Sequence, residues 1–518
     1  MPAAAKASAG SIPLRVLSVA SEAVPLVKTG GLADVVGALP GAVAPHGVAM
    51  TTLIPGYPAV MAALGLCGPD KGISRKGAGK AKSAAKLLHQ WHSLLGEPAR
   101  LLGASVGGHP LLVLDAPALY HRDGGPYGDA LGRDWPDNWR RFAALGRAAA
   151  DIAGGAVKGL RFDLLHAHDW QAGLAPAYLR FAPVPGAPHV PAVMTIHNMA
   201  FQGWFRAEVF ARLGLPPAAW AMDGVEYHGG VGMLKAGLEA ASAITTVSPT
   251  YAMEIRSAEF GMGLEGLIVS RGDRVHGIVN GIDSAEWNPA TDPALAASFT
   301  ARSLLRRTAN KRALEAEFGL EPGAGPDGGP LFVVISRLTW QKGMDVLCEA
   351  LDHLVGLGGR LALLGAGDAA IEVELRKGAA RHPGRIALHI GYDESLSHRM
   401  QAGGDAILVP SRFEPCGLTQ LYGLAYGCVP VVARTGGLAD TVVDANLAAI
   451  NADAATGIQF AGVNYEQLTL AITRAVDLYR QPQVWRRIQA AGMKSDFSWG
   501  RSGAAYAELY RQLVTEAR

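Results

Sequence analysis

Short, continuous apolar runs, each followed by a segment of helical length, recur along almost the whole chain. In the first half they are "LRVLSVA", "VAMTTLIP", "PLLVLDAP", "FDLLHAH", "AVMTIHN", "AITTVSP" and "HGIVNG". In the second half they are "LFVVISR", "RLALLGAG", "RIALHIG", "DAILVPS" and "PVVARTGG". Continuous apolarity is what a strand buried on both faces requires, so the pattern predicts parallel sheets covered by helices. Two successive sets of such strands predict two doubly wound α/β domains.

The bulk properties favour a globular cytoplasmic protein. The chain has 518 residues, which is too many for one hydrophobic core. A formal net charge of +2 gives no reason to expect nucleic acid or a membrane surface as a partner. No stretch approaches the roughly 18 uninterrupted apolar residues that a membrane span needs. The cysteines contain no CxxC pair, so we expect neither a disulfide framework nor a zinc site. They are Cys67, Cys348, Cys416 and Cys428.

Three segments indicate where the domains divide and where loops lie. The boundary is predicted at the end of "IVNGIDSAEWNPATD", so that residues 1–290 form the N-terminal domain and residues 291–495 the C-terminal domain. A Gly/Pro-rich connector at 321–330 precedes the strand "LFVVIS". The segment 71–86 is basic, of low complexity and almost without large apolar residues. It is predicted to be a mobile loop, with contact to a polyanion as the weaker alternative.

One heptapeptide occurs almost unchanged in both halves. "KTGGLAD" covers 28–34 and "RTGGLAD" covers 434–440, and each lies where a predicted strand hands over to a helix. Paired glycines let the backbone turn tightly and approach a ligand closely, and the N-terminus of the following helix suits phosphate. Two such loops facing one cleft would hold a nucleotide sugar. For the second copy, a simple tight turn is an equally good interpretation.

Polar residues also follow several of the predicted strands, where a buried strand would usually end in a plain turn. "DLLHAHDW" supplies His168 and Asp169, and "VMTIHNMAFQG" supplies His197 and Asn198. In the second half the corresponding residues are Arg337, Lys342, Glu414 and Cys416, the last leading into a Gly-Leu-Thr run. Each of these alone is as easily a helix cap or a surface pair. Together, at the ends of successive strands, they predict an active site.

These segments resemble the bacterial glycogen synthases, also called starch synthases. The resemblance rests on "VASEAVPLVKTGGLADVVGALP", "HAHDWQAGLAPAYL", "TIHNMAFQG", "TVSPTY", "SRLTWQKG", "PSRFEPCGLTQLYGLAYG" and "RTGGLADTV", and it extends from about residue 14 to 515. It implies the GT-B fold, in which two Rossmann-like domains face a deep cleft and a final helix, here 496–518, packs back on the N-terminal domain. It also implies transfer of glucose from ADP-glucose to the non-reducing end of an α-1,4-glucan such as glycogen, with retention of configuration and without a metal or other cofactor.

The resemblance assigns the phosphate-binding residues. Lys28, Gly30 and Gly31 correspond to the phosphate-side loop of the N-terminal domain. Arg337 and Lys342 correspond to the pair that binds the diphosphate of the donor. Two fixed cations suit this role, because negative charge develops on the ADP leaving group as the glycosidic bond breaks.

The resemblance also assigns the groups around the sugar and the base. Glu414 corresponds to the glutamate that holds glucose hydroxyls, His197 to the histidine beside the transferred sugar, and Asp169 to the aspartate near the reacting centre. Tyr392 corresponds to the aromatic residue that stacks on adenine, and Tyr127 to a tyrosine near the acceptor. The segment expected to offer backbone N–H groups at a helix start comprises Cys416, Gly417, Leu418 and Thr419.

Other functions fit the sequence less well. A dehydrogenase would have to use "GAGDAA" at 365–370, which lacks the third glycine and a suitably spaced acidic residue. A metal-dependent transferase is disfavoured because no Asp-x-Asp motif is present. Two alternatives stay open: a GT-B enzyme that uses a different nucleotide sugar, and a catalytically inactive glucan-binding protein, although every matched catalytic position is filled. The motifs distinguish neither ADP-glucose from UDP-glucose nor one oligomeric state from another.

Overall fold

The computed structural model describes residues 13–66, 85–323 and 329–518. Most of the basic segment 71–86, the centre of the connector 321–330 and Cys67 therefore lie outside the described residues. The chain divides into two compact units. Unit 1 contains the residues up to Val247 together with Glu254–Ile278 and Trp499–Arg518, and unit 2 contains Ser248–Met253 and Val279–Ser498.

The strands of the described residues are numbered in chain order. They are β1 (Leu14–Val19), β2 (Val48–Pro55), β3 (Lys86–Leu94), β4 (Glu97–Val106), β5 (His109–Asp115), β6 (Leu164–His168), β7 (Ala192–Ile196), β8 (Trp204–Arg206), β9 (Glu226–Tyr227), β10 (Gly230–Gly232), β11 (Ala243–Thr246), β12 (Val275–Gly277), β13 (Leu331–Ile335), β14 (Arg360–Gly365), β15 (Ile386–Ile390), β16 (Ala406–Val409), β17 (Val429–Ala433) and β18 (Ile458–Phe460).

The α-helices of the same residues are numbered in the same way. They are α1 (Gly31–Val43), α2 (Pro58–Ala63), α3 (Pro117–Tyr120), α4 (Asn138–Ala153), α5 (Asp169–Ala172), α6 (Leu174–Phe181), α7 (Met233–Ala240), α8 (Pro249–Glu254), α9 (Ala258–Gly261), α10 (Glu265–Ser270), α11 (Arg307–Phe318), α12 (Met344–Gly356), α13 (Ala369–Arg381), α14 (Glu394–Gly403), α15 (Thr419–Tyr426), α16 (Gly436–Thr441), α17 (Leu447–Asn451), α18 (Tyr465–Tyr479), α19 (Pro482–Lys494) and α20 (Trp499–Glu516).

Unit 1 is built on a sheet with the strand order β12-β11-β7-β6-β1-β2-β5-β4-β3. From β12 to β5 the neighbouring strands are parallel, as the continuous apolar runs predict. Strands β4 and β3 extend the sheet in antiparallel fashion and were not predicted. Strand β3 is mostly exposed or half-buried and β4 mixes buried with exposed positions, so both lack the uninterrupted apolarity by which the other strands were recognised.

Unit 2 contains a wholly parallel sheet with the order β15-β14-β13-β16-β17-β18. Numbered within the unit, this is the 3-2-1-4-5-6 order of the Rossmann fold. Strands β13 and β14 are buried almost throughout, and helices α12 and α18 contribute to the core on one side of them. The same order runs through unit 1 from β5 by way of β2, β1 and β6 to β7 and β11.

The last helix of the chain belongs to the core of unit 1. Tyr506, Tyr510 and Leu513 of α20 are buried against Leu39 and Val43 of α1. A side chain at Gly503 would overlap with the backbone of Ala42, so the two helices pack in close contact there. The resemblance to glycogen synthases predicted this placement of the final helix. No helix among the described residues combines the length and the apolarity that crossing a bilayer requires.

Candidate active site

The candidate site residues of unit 1 lie at the point where the strand order reverses. The chain passes from β1 to β2 on one side and enters β6 on the other side of β1, so a crevice opens beyond the carboxyl ends of β1 and β6. Asp169 follows β6 directly, and His197 follows the neighbouring strand β7. His168, which was expected beyond the strand, is the last residue of β6.

Asp169 is held in an unusual backbone conformation and is buried, with 7% of its surface exposed. Its φ angle is +54°, in the left-handed region that residues other than glycine seldom adopt. Its Oδ1 accepts a hydrogen bond from the backbone amide of His197 (2.7 Å), and the amide of Asn198 also bonds to the carboxylate. Burial raises the pKa of Asp169 from 3.8 to about 7, despite these two hydrogen bonds. The group is therefore partly protonated at neutral pH.

His197 is neutral at physiological pH. Burial lowers its pKa from 6.5 to about 3, because a charged imidazolium is poorly solvated there. Its Nε2 lies 3.0 Å from Nδ1 of His168, whose pKa burial also lowers well below the ordinary value. A neutral histidine can donate or accept one hydrogen bond at each nitrogen, according to its tautomer.

Glu22 organises the loop that carries Lys28. This carboxylate is 2% exposed. It accepts hydrogen bonds from the hydroxyl of Thr29 (2.6 Å), from the backbone amide of Thr29 and from the hydroxyl of Tyr127. Tyr127 also lies 2.8 Å from the hydroxyl of Ser21. Thus Tyr127, predicted on the acceptor side, is tied through Glu22 to the predicted phosphate loop.

The predicted phosphate loop itself is open. Lys28, Gly30 and Gly31 are exposed, and a Cβ atom added at Gly30 would meet no atom within 4 Å. Lys28 forms an ion pair with Asp34 of α1 (2.8 Å). Gly31 is the first residue of α1, so the N-terminal amides of that helix face the open space around the loop.

The corresponding point in unit 2 lies between β13 and β16, where the strand order also reverses. A cavity of about 140 Å³ opens there and is lined by polar groups that include Lys342, Ser411, Glu414 and Thr419. Glu414 accepts hydrogen bonds from the ammonium group of Lys342 and from the hydroxyl of Ser411 (3.0 Å). A carboxylate that accepts from one cation and one hydroxyl keeps further lone pairs that can accept from ligand hydroxyl groups.

Arg337 and Tyr392 are exposed. Arg337 follows β13, and its guanidinium group has no hydrogen-bond or ion-pair partner in the part of the chain that the structure describes. Tyr392 follows β15, two strands away from β13 in the sheet, and is 77% exposed, with its hydroxyl 3.1 Å from Glu394. The structure therefore brings Lys342 and Glu414 together, and it places Tyr392 apart from them.

The segment from Cys416 to Thr419 turns sharply into α15. Gly417 has a φ angle of +71°, which favours glycine, and Thr419 is the first residue of the helix. Cys416 is buried, and burial raises the pKa of its thiol to about 12, so it stays protonated. Beneath this segment lie Gly436 and Gly437 of the second heptapeptide, where any side chain would overlap with the carbonyl oxygens of Glu414 and Cys416.

Sequence reasoning missed Glu22 and Ser411, which hold the predicted residues in place. Each lies inside a motif used for the resemblance, six residues before Lys28 in one case and three before Glu414 in the other. For Ser411 this short spacing was an available signal, whereas Glu22 is too far from Lys28 in the sequence for spacing to indicate its role. Within the described ranges, no group of three or more His, Cys, Asp and Glu side chains is arranged to hold a metal ion.

Comparison with known proteins places this architecture in a family. A family model described as "Starch synthase catalytic domain" matches residues 15–270, and one described as "Glycosyl transferases group 1" matches residues 321–490. The chain is 72% identical to a glycogen synthase of Novosphingobium aromaticivorans, over 97% of this chain and 99% of that protein. It is 56% identical to glycogen synthase 1 of Rhizobium meliloti, over 97% of this chain and 100% of that protein. The chain belongs to the glycogen synthase family.

Solved structures agree with this assignment. The catalytic domain of starch synthase IV from Arabidopsis thaliana, bound to ADP and acarbose, has 31% sequence identity and a TM-score of 0.84, over 97% of this chain and all of that one. Sucrose-phosphate synthase from Thermosynechococcus elongatus has a TM-score of 0.59 at 17% identity and supports the fold alone. The protein is thus a glycosyltransferase with the GT-B fold, and both predictions from the sequence are confirmed.

Proposed function

We propose that this chain transfers glucose from ADP-glucose to the non-reducing end of an α-1,4-glucan, with retention of configuration. The observation that carries the proposal is the 72% identity to a glycogen synthase over almost the whole of both chains. A cytoplasmic location is part of the same proposal, since the donor is an activated nucleotide sugar that an ATP-consuming reaction must supply.

In unit 2, the arrangement supports a donor site in which the roles of the two cations differ. Arg337 is exposed and unpaired among the described residues, so its planar donor fork is available for a phosphate group. Lys342 is engaged with Glu414 in the cavity. We assign Arg337 to the distal diphosphate and Lys342 to the oxygen that joins phosphate and sugar, where charge develops as the bond breaks.

Glu414 fits the role of binding the glucosyl group. Lys342 and Ser411 bond to its Oε2, which leaves Oε1 to accept from sugar hydroxyls in the cavity. The backbone amides at the start of α15, from Gly417 to Thr419, and the buried Cys416 complete this side of the proposed site. Tyr392 is proposed to stack on the adenine ring, because its side chain is 77% exposed.

In unit 1, we assign Lys28, Gly30 and Gly31 to phosphate binding and Asp169 and His197 to the reacting sugar. The open loop at Gly30 and the start of α1 support the first assignment. The second is supported by the position of both residues at the carboxyl ends of adjacent strands. Tyr127 is assigned to the acceptor side by the resemblance, and its hydrogen bond to Glu22 fixes its hydroxyl beside the loop that carries Lys28.

The test is an assay of glucosyl transfer with radiolabelled ADP-, UDP- and GDP-glucose and glycogen, in the presence and absence of EDTA. We expect transfer from ADP-glucose at a rate that EDTA leaves unchanged, because the proposed cations bind the diphosphate. Transfer only from another nucleotide sugar, or activity that EDTA abolishes and magnesium restores, would contradict the proposal.

A matched pair of variants tests the role of Arg337. Arg337→Ala is expected to lower kcat/KM by roughly 30- to several-thousand-fold, since it would leave the bound diphosphate without one of its proposed counter-charges. Arg376→Ala is the control, because Arg376 is an exposed arginine on α13 of the same unit. Near-normal rates in Arg337→Ala would show that the diphosphate is bound elsewhere.

A further inference from the structure

A buried line of hydrogen bonds leads from the first strand of unit 1 to His197. The hydroxyl of Ser18 on β1 lies 3.2 Å from Nε2 of His168 on β6, and Nδ1 of His168 lies 3.0 Å from Nε2 of His197. Ser18 and His168 are both 0% exposed. The strands β1, β6 and β7 are adjacent and parallel, so this line crosses the sheet directly beneath the candidate site.

The two rings can each offer only one N–H group to this line. Loss of solvation lowers the pKa of the buried His168 well below its ordinary value and that of the half-buried His197 to about 3, so both rings are neutral at neutral pH. A neutral imidazole has one protonated and one unprotonated nitrogen. The two hydrogen bonds must therefore run in the same direction, either from Ser18 toward His197 or from His197 toward Ser18.

Ser18 decides between the two directions. Its hydroxyl has no other hydrogen-bond partner among the described residues. If His168 donated to Ser18, the hydroxyl proton would be buried without an acceptor, which is costly. If Ser18 donates to His168, only a lone pair is left unused. His168 then carries its proton on Nδ1 and donates it to Nε2 of His197.

We propose that Ser18 and His168 are positioning residues that hold His197 as the tautomer protonated on Nδ1. His197 then presents an N–H group at Nδ1, which has no partner in the described part of the chain, and it acts on the sugar as a hydrogen-bond donor and not as a base. Its backbone is fixed at the same time, since its amide donates to Asp169. The role toward the sugar rests on the proposed function, whereas the tautomer does not.

A second network beside this one provides a matched control. Nε2 of His166 lies 2.6 Å from the hydroxyl of Thr195, which lies 2.5 Å from that of Thr245. The ring of His166 is 4.1 Å from that of His168, yet no hydrogen bond joins the two networks. Thr245→Val therefore removes a buried hydroxyl close to the Ser18–His168–His197 relay and leaves the hydrogen bonds of that relay unchanged.

The decisive experiment is NMR spectroscopy of the full-length protein with ¹⁵N-labelled histidine rings, in which protonated and unprotonated nitrogens have separate chemical shifts. The resonances of His197 are identified by their loss in His197→Gln. In the wild-type protein we expect a proton on Nδ1 and none on Nε2 of His197. A proton on Nε2 would overturn the proposal, and this result needs neither a variant of the relay nor an active enzyme.

The variants test whether the relay matters for the reaction. Ser18→Ala is expected to shift the ring resonances of both His168 and His197 and to lower kcat about 2- to 10-fold, with less than a 2-fold change in KM for ADP-glucose. Ser18→Thr, which keeps the hydroxyl, should retain the wild-type shifts. Thr245→Val should leave the His197 shifts and kcat unchanged. Wild-type shifts and kcat in Ser18→Ala would overturn the positioning role.

Discussion

The two copies of the heptapeptide differ in one residue of seven and yet have opposite surroundings. In "KTGGLAD", the pair Gly30 and Gly31 is exposed, and added side-chain atoms at Gly30 would meet nothing. In "RTGGLAD", the pair Gly436 and Gly437 is buried under the loop that carries Glu414. The space beside Gly30 is empty, whereas the space beside Gly436 and Gly437 is occupied by the backbone of Glu414 and Cys416.

This difference shows that a shared motif determines the local turn, whereas the neighbouring residues determine whether its glycines are open to a ligand or covered by the protein. Both copies join the end of a strand region to a helix start, but α1 has 13 residues and α16 only six. Between the two interpretations of the second copy, the tight turn agrees with the structure, since its glycines support the neighbouring loop. The first copy keeps the geometry expected of a loop that approaches phosphate.

The sharpest test of this comparison changes the equivalent glycine in each copy. Gly436 has a φ angle of +43°, and a methyl group there would overlap with the carbonyl oxygen of Glu414, so Gly436→Ala is expected to lower the free energy of unfolding by roughly 3 kcal/mol or more. Gly30 has an extended backbone and open surroundings, so Gly30→Ala should change the free energy of unfolding by less than about 0.5 kcal/mol. Urea denaturation of both variants gives the two values. Similar losses in both would remove the distinction.

The basic residue at the first position of each heptapeptide, Lys28 or Arg434, provides the next test. Lys28→Ala is expected to lower kcat/KM for ADP-glucose about 10- to 150-fold, because the charge-assisted hydrogen bond that we propose between Lys28 and phosphate is lost. Arg434→Ala should lower it less than about 2-fold, because the glycines that follow Arg434 face the protein interior. Initial rates at several ADP-glucose concentrations measure both. An equal loss in the two variants would mean that both copies contact the ligand.

The sequence predicted most of the fold because the parallel strands are buried on both faces and read as uninterrupted apolar runs. It could not predict β3 and β4, whose half-exposed pattern resembles a loop as much as a strand. The same limit applies within the heptapeptides. Whether a glycine pair is open or covered depends on a loop about 20 residues earlier in the chain, as with Glu414 and Gly436, and local sequence carries no trace of that contact.

The supporting residues of the site were hidden for a related reason. Glu22 and Ser18 lie on or just after β1, in a segment that reads as an ordinary strand end. Their roles arise from partners more than 100 residues away, Tyr127 for Glu22 and His168 for Ser18. The motif residues could be assigned by resemblance, but the hydrogen bonds that orient them depend on which strands become neighbours.

The two units also differ in the carboxyl group that lies where the strand order reverses, which is Asp169 in unit 1 and Glu414 in unit 2. The stability of variants at these two positions, measured at several pH values, tests this difference. Asp169 has only backbone amides as partners in the described residues, and burial raises its pKa from 3.8 to about 7, whereas Glu414 is paired with Lys342. Since the folded-state pKa of Asp169 is raised, ionised Asp169 reduces stability progressively from about pH 4 to pH 7 and by a constant amount above that.

Asp169→Asn should therefore raise the free energy of unfolding by roughly 1–3 kcal/mol at pH 8 and by less at pH 5, while it lowers kcat. Glu414→Gln should lower the free energy of unfolding at both pH values, because it leaves Lys342 without its counter-charge. Urea denaturation at pH 5, 6, 7 and 8 follows both variants. An Asp169→Asn difference that does not change with pH would show that the carboxyl group is not perturbed by burial.

The smallest expected effects come from the last residue of each heptapeptide, Asp34 and Asp440. We expect one aspartate to affect KM and the other to affect stability. Asp440 accepts hydrogen bonds from the amide (2.7 Å) and the hydroxyl (2.6 Å) of Thr250, whereas Asp34 pairs with Lys28 at the surface. Asp440→Ala should lower the free energy of unfolding by about 1 kcal/mol and leave KM for ADP-glucose within about 2-fold. Asp34→Ala should leave stability within about 0.5 kcal/mol, as is usual for an exposed ion pair, but raise KM about 2- to 5-fold because the flexible Lys28 side chain loses its fixed position. If Asp440→Ala raised KM and Asp34→Ala lowered stability instead, the open copy would be the structural one and the buried copy the one that meets the ligand.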